Sequence, residues 1–301
     1  MLDDVRRALS SVVSIPVTPF DGFGRIDEPA YTAVVSRVVA AGITAVTPNG
    51  NTGEFYSLSV AELNHVVALA LESAGEATVI AGVGHDTGSA VRLATEAANL
   101  GAHAVMVHQP VHPYQSEEGW VDYHRDVAEA VPGLGVVCYL RSPLIIPRTV
   151  KALVDACPNV VGVKYALPDP VRFAEMAAEV PEVTWVCGLA ESWAPFYWMG
   201  GARGFTSGLV AIVPELSLEL HGLLQAGDAG GAMRLWRRLK PIEDLRARRG
   251  NANNVSVLKE ALAQLGLCRR DVRPPISVLP DGERDEVTAI LRSLRLPVGA
   301  A

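Results

Sequence analysis

Val160-Val161-Gly162-Val163-Lys164-Tyr165 reads as a buried strand that ends on a lysine. Its valines are β-branched. Pro158-Asn159 before it and Pro168-Asp169-Pro170 after it bound the run. The chain holds only four lysines, Lys151, Lys164, Lys240 and Lys259. The other three fall in polar or amphipathic helical surroundings, where a solvated ammonium costs little. Lys164 falls where an ammonium would lose its water, which disfavours the charged form and lowers the pKa. A neutral amine attacks carbonyls and forms a Schiff base. Taken alone, the residue more often reads as a strand-end lysine that snorkels to solvent or pairs with a carboxylate.

On both sides of this stretch, short apolar runs alternate with longer amphipathic ones. Strands are expected over 12–17, 45–47, 78–82, 104–108, 135–140, 184–188 and 204–207, with the opening stretch as the sixth of eight. A helix follows each. The first has Asp27 as N-cap and Pro29 in its first turn, and others span 59–73, 87–100, 147–156 and 170–179. Strand followed by helix eight times indicates a closed parallel (β/α)8 barrel over residues 1–226. An open dinucleotide-binding sheet would need a glycine fingerprint after its first strand, and Asp21-Gly22-Phe23-Gly24 is not one. Strands stop after about Pro214. Helical patterns over 216–226, 229–248, 255–265 and 283–294 supply the eighth barrel helix and a C-terminal helical extension over 227–301.

Bulk properties narrow the function classes. The 301 residues are 49% hydrophobic and 20% charged, enough for a large core. A net charge of −7 without a basic stripe argues against nucleic acid as a partner. Gly, Pro or charge interrupts every apolar run short of a membrane span. Met1-Leu2-Asp3-Asp4 lacks a signal-peptide pattern. Cys138, Cys157, Cys187 and Cys268 are dispersed, which fits small core residues in a reducing compartment. A soluble cytoplasmic protein is expected.

In such a barrel, reactive groups gather at the carboxyl ends of the strands. After strand two comes Asn49-Gly50-Asn51-Thr52-Gly53-Glu54-Phe55, where glycines flanking small polar residues suit a carboxylate site or simply make a turn. Strand five ends near Tyr139, a phenol that can pass protons or pack in the barrel mouth. His108 and His112 are four apart, but prolines interrupt them and no nearby ligand completes a set, so no metal site is expected. Glycines at the ends of strands seven and eight, Gly188 and Gly208, let a ligand approach the backbone, the latter beside Thr206.

Together these residues resemble the dihydrodipicolinate synthase / N-acetylneuraminate lyase family of class I Schiff-base lyases. The resemblance runs from about Ile15 to Leu265. It rests on Pro16-Val17-Thr18-Pro19-Phe20-Asp21, on Gly50-Asn51-Thr52-Gly53-Glu54 for the family's Gly-x-x-Gly-Glu loop, on Tyr139, and on Gly162-Val163-Lys164. It implies that Lys164 forms a Schiff base with pyruvate or another 2-oxo acid. Tyr139 would transfer protons, and the Thr52 hydroxyl would link it to the substrate carboxylate held by Asn51 and Thr52. Gly50, Gly188 and the backbone near Thr206 would line the site. No cofactor is implied, and a homotetramer or homodimer is.

Departures from the synthase pattern bear on the substrate. Asn51 stands where the family usually has Thr or Ser. His112 takes the position of a tyrosine that the synthases borrow from a neighbouring subunit, with Tyr114 two residues on. Leu144 stands where they have an arginine, five residues after Tyr139, and Arg141 is only two residues on. The runs Gly53-Glu54-Phe55-Tyr56-Ser57-Leu58 and Gly188-Leu189-Ala190-Glu191 look more like the sugar-acid dehydratases and aldolases. The expectation is a Schiff-base-forming lyase on pyruvate or another 2-oxo acid, of the 2-keto-3-deoxy sugar-acid dehydratase or aldolase type. Alternatives are dihydrodipicolinate synthesis from pyruvate and aspartate semialdehyde, a barrel that senses an oxo acid without turnover, and a metal-dependent aldolase. Trp193, Asn253 and Asn254 are assigned no role beyond packing and capping.

Overall fold

A computed structural model describes residues 1–297, so the last four residues of the expected extension lie outside it. A helix α1 (Leu2–Leu9) precedes β1 (Val12–Ser14). Then come α2 (Glu28–Ala40), β2 (Ala45–Val46), α3 (Val60–Ser73), β3 (Thr78–Val83), α4 (Thr87–Leu100) and β4 (Ala104–Val107). They are followed by α5 (Glu117–Ala130), β5 (Gly135–Leu140), α6 (Pro147–Ala156), β6 (Val160–Tyr165) and α7 (Pro170–Glu179). Next are β7 (Thr184–Cys187), α8 (Ala190–Met199), β8 (Gly204–Ser207) and α9 (Pro214–Gln225). The strands pair in parallel in chain order, and β8 closes on β1, so the sheet is a (β/α)8 barrel. The helices α10 (Ala229–Asn251), α11 (Asn254–Gln264) and α12 (Asp281–Ser293) form the C-terminal extension.

Local chemistry sets the helix starts. The Asp27 side chain accepts from the Ala30 N–H, and Ser59 with Glu62 forms a capping box at the start of α3. The first strand is shorter than expected: after Ile15, whose N–H still donates to the Ser207 carbonyl at 2.8 Å, the chain leaves the ladder. The regular part of α10 ends before Arg248, which is extended, and Arg249 and Gly250 then adopt positive φ.

Two apolar layers result. One lies between the sheet and the surrounding helices. The other fills the barrel, with Val13, Ile80, Met106, Val137 and Val186 pointing inward. The sequence reading missed α1, whose Val5, Ala8 and Leu9 join this inner layer. It plugs the end of the barrel opposite the strand C-termini. Gly162 makes room for it, since a Cβ there would lie 2.7 Å from Leu9 Cδ1.

Between β5 and β6 the register slips by one: Val136 faces Val160, but Val137 faces Gly162. β6 thus carries an extra residue, Val161. A side-chain period of two makes such a slip decisive. Val161 joins the inner layer, and Val163 and Tyr165 join the outer one. Strict alternation from Val161 would have pointed Lys164 at the helices; the bulge turns it into the barrel.

Candidate active site

Lys164 lies in the last turn of ladder on β6, directly opposite Tyr139 on β5. Its amine sits 4.1 Å from the centre of the Tyr139 ring and the residue is only 4% exposed. Burial first, and the Arg141 guanidinium second, lower its pKa to about 7. Among the described residues it has no carboxylate partner. A large fraction of neutral amine at neutral pH follows.

A second lysine shows what an ordinary buried ammonium needs. Lys259 was expected in solvated surroundings, and the structure corrects this: it is fully buried. Its Nζ lies 2.5 Å from Glu54 Oε1, donates to the Asp271 carbonyl at 2.7 Å, and sits 4.0 Å from the Phe20 ring centre. The α11 periodicity read as amphipathic because its partner, Glu54, lies 205 positions upstream by number, on the loop after β2. That loop is thereby tied to α11.

The same loop carries Gly50, Asn51 and Thr52. It forms a short 3-10 turn over Asn51–Gly53, in which the Gly53 N–H donates to the Gly50 carbonyl at 2.9 Å. Gly50 is packed against Ile15, and a Cβ there would fall 2.4 Å from Ile15 Cγ2. Asn51 and Thr52 face the cleft. Asn51 Nδ2 donates to the Tyr139 hydroxyl at 3.2 Å, while its Oδ1 is buried with no partner among the described residues. The partner of the phenol within this chain is therefore Asn51 and not Thr52. Burial raises the Tyr139 pKa, and Arg141 and the Asn51 hydrogen bond oppose that rise.

Lys164, Tyr139, Asn51, Thr52, Gly188 and Thr206 line one cleft of about 340 Å³, within the usual size of small-molecule sites. Gly188 closes its wall, where a Cβ would meet Ala166, the Tyr165 carbonyl and Lys164 Cγ at 3.0 Å or less. The Thr206 hydroxyl donates to the Cys187 carbonyl at 3.4 Å. His112 stands apart from this cleft. It is exposed, and its Nδ1 meets the backbone of Tyr114. His108 is buried, stacked 4.1 Å from Phe55 and bonded through Nε2 to the Asn49 carbonyl at 2.8 Å. Among the described residues no group of three or more His, Cys, Asp or Glu could hold a metal.

The outer wall was not legible from the sequence. Arg246 and Glu243 of α10 both line the cleft, paired at 2.5 Å. Arg246 also donates to Asn254 Oδ1 at 3.0 Å. Trp193 and Asn254, which had been assigned only packing and capping, line the cleft too, as does Arg141. Leu144, at the synthase arginine position, points outward at 58% exposure. Behind the wall, Glu191 Oε1 accepts from the Ser207 and Ser217 hydroxyls at 2.6 and 2.5 Å. Burial, then the Glu243 charge, push its pKa up to about 7.

A desolvated amine, an adjacent phenol and small polar groups beside them can bind an oxo acid and move protons at the carbon next to an imine. The relatives agree with that chemistry. A probable 5-dehydro-4-deoxyglucarate dehydratase of Rhizobium rhizogenes is 30% identical over 97% of this chain and 98% of its own length. A 4-hydroxy-tetrahydrodipicolinate synthase of Hyphomonas neptunium is 36% identical over 89% and 92%. The crystal structure of dihydrodipicolinate synthase from Bacillus clausii superposes with a TM-score of 0.93 at 39% identity, covering 97% of this chain and all of that one. The model of the dihydrodipicolinate synthetase family matches residues 8–294. From the end of α1 through the last helix, then, this chain belongs to the dihydrodipicolinate synthetase family of Schiff-base lyases.

Proposed function

We propose that Lys164 is the Schiff-base lysine of a lyase that dehydrates or cleaves a 2-keto-3-deoxy sugar acid. The observation that carries this is the Lys164 amine itself: buried, without a counter-ion among the described residues, and lying against Tyr139 at the bottom of a polar cleft. The substrate carboxylate docks on Asn51 and Thr52. The neutral amine adds to the C2 ketone, and water leaves to give the imine. Once protonated, the imine draws electrons from C3. Either a C3 proton departs and a hydroxyl leaves C4 as water, or the C3–C4 bond breaks as the C4 hydroxyl loses its proton. Hydrolysis of the imine then frees the lysine. Tyr139 carries protons at these steps, and Asn51, by donating to the phenol oxygen, stabilises its deprotonated form. No cofactor takes part.

The dehydratase reading also draws on the name of the Rhizobium relative. Dihydrodipicolinate synthesis is the second reading, favoured by the name of the Hyphomonas relative and opposed by Leu144. Product formation from 2-keto-3-deoxy sugar acids, assayed beside condensation of pyruvate with aspartate semialdehyde, decides between them. Turnover only in the second assay overturns the first reading.

We infer that copies of the chain pair as a dimer or tetramer. Val111 and Tyr114, next to His112, are 65% and 85% exposed on the loop after β4. Their apolar surface suits a contact that would also explain why His112 stands apart from its own chain's cleft. Light scattering on the purified protein tests this; a monomer at working concentration would refute it. No helix among the described residues is long and apolar enough to cross a membrane.

A further inference from the structure

The loop after β2 begins on a strained residue. Asn49 is buried and adopts a φ of 60°, in the left-handed region, which asparagine reaches more readily than most residues but still at a cost. Such a residue persists only where its surroundings over-determine it. Three contacts do so here. Asn49 Nδ2 donates to the Leu63 carbonyl at 2.9 Å. β3 closes against it, since a Cβ on Gly82 would lie 2.2 Å from the Asn49 carbonyl oxygen. The third contact comes from His108, just past β4, whose Nε2 meets that same oxygen at 2.8 Å. A carbonyl only accepts, so His108 carries its proton on Nε2. Burial lowers the His108 pKa to about 3 despite the bond to Asn49, and the Lys164, His85 and Arg141 charges add to the fall. The imidazole is therefore neutral at neutral pH, a donor at Nε2 with its Nδ1 buried and without a partner among the described residues.

The ring is fixed as firmly as its proton. Phe55, further along the same loop, stacks on both His108 and His85, with centroids 4.1 and 4.6 Å apart. These rings tie together the loops after β2, β3 and β4. The His108 ring also stands edge-on to Tyr139, at 5.8 Å. Asn49 leads through Gly50 to Asn51, which donates to the Tyr139 hydroxyl, and to Thr52. We propose that His108 is a positioning residue for the substrate carboxylate: its Nε2–H holds Asn49 in the left-handed conformation that aims Asn51 and Thr52 into the cleft. This rests on the reading of the Asn51-Thr52 turn as the carboxylate site. His108 is not among the residues lining the cleft, so it acts through the turn and not on the substrate. A donor that stays neutral keeps its hold on Asn49 across the neutral pH range.

Pyruvate is the probe, because it offers a carboxylate beside a ketone and little else. The pyruvate concentration that half-saturates borohydride trapping, read by intact mass, is measured for wild type, His108→Phe, His108→Gln and Asn51→Ala. Phenylalanine keeps a ring on Phe55 and removes the donor; glutamine returns an amide N–H. His108→Phe should raise the half-saturating concentration about 5- to 100-fold, as expected when a buried carbonyl loses its donor. His108→Gln should recover much of that loss at a similar melting temperature. Equal loss in the two variants, or a His108→Phe within about twofold of wild type, overturns the assignment. Imidazole NMR on the wild-type protein gives a test independent of how the variants fold. His108 should appear as an Nε2–H tautomer that does not titrate between about pH 5 and 9. His124 is the contrast, since it is equally buried but bonds through Nδ1 to the Trp120 carbonyl. A His108 that titrates near 6.5, or carries its proton on Nδ1, overturns the assignment. Asn51→Ala separates the two readings. If neither it nor His108→Phe shifts half-saturation, or wild type traps no pyruvate, the reading of the turn falls and this inference with it. If Asn51→Ala shifts it and His108→Phe does not, only the assignment of His108 falls.

Discussion

Lys164 and Tyr139 are direct cross-strand neighbours on β6 and β5, with the amine 4.1 Å from the centre of the phenol ring. One irregularity creates this pairing: the extra residue Val161, which turns the following side chains of β6 over. The ring and the packed barrel interior strip water from the amine, and among the described residues no anion compensates. The site holds a residue in a state that costs stability and supplies reactivity.

That cost is measurable. The folded pKa of Lys164, about 7, lies below the ordinary lysine value. Between those two values the native state binds fewer protons than the unfolded chain, so stability rises with pH across that window. Below about pH 7 the buried amine is charged, and its desolvation penalty is carried in full. Lys164→Met removes it. The variant should melt above wild type at pH 6, and the gap should narrow as pH approaches 9. Thermal melts at several pH values check this; an equal or lower melting temperature at pH 6 would contradict it.

Tyr139→Phe keeps the ring beneath the amine and removes the hydroxyl that Asn51 contacts. Loss of positioned acid–base catalysis should lower kcat by roughly 100- to 10,000-fold. Adduct formation with a 2-oxo acid should persist, though more slowly. Turnover within threefold of wild type would remove Tyr139 from proton transfer.

Lys259 and Glu54 predict a contrast. Truncating one partner of a buried pair strands the other charge, which typically costs about 3–5 kcal/mol. Lys259→Met should therefore destabilise by that order. Glu54→Gln with Lys259→Met should recover much of the loss, because no unpaired charge remains. Urea titrations of the two variants make the comparison. Equal destabilisation of single and double variants would mean that packing, not charge, dominates there.

Much of this was legible in advance, for identifiable reasons. Strand and helix periods are local, so β5, α6, α7 and β8 stand where the pattern put them. Lys164 and Tyr139 sit at strand ends of a closed barrel, and Asn51 and Thr52 on the loop after β2; topology brings such positions into one cleft. What stayed hidden depends on distant partners. Lys259 looked solvated until Glu54 was placed beside it. Arg246, Glu243 and Asn254 reach the cleft because the extension packs over the barrel mouth, a docking that no local pattern encodes. The Val161 bulge was also invisible, since a run of valines reads the same with or without it. Helix α1 was overlooked although Leu2, Val5 and Leu9 recur at helical spacing between polar residues, because a short segment ahead of the first strand falls outside the strand–helix repeat; its Leu9 fills the space beside Gly162.

The central claim is that Lys164 carries the substrate as an imine. Wild type and Lys164→Ala are incubated with pyruvate or a 2-keto-3-deoxy sugar acid, reduced with borohydride, and weighed intact before peptide mapping. The account predicts one reduced adduct per chain in wild type, mapped to Lys164, and none in Lys164→Ala. An adduct on another lysine, one that survives in Lys164→Ala, or no adduct with any 2-oxo acid that the enzyme turns over would contradict it.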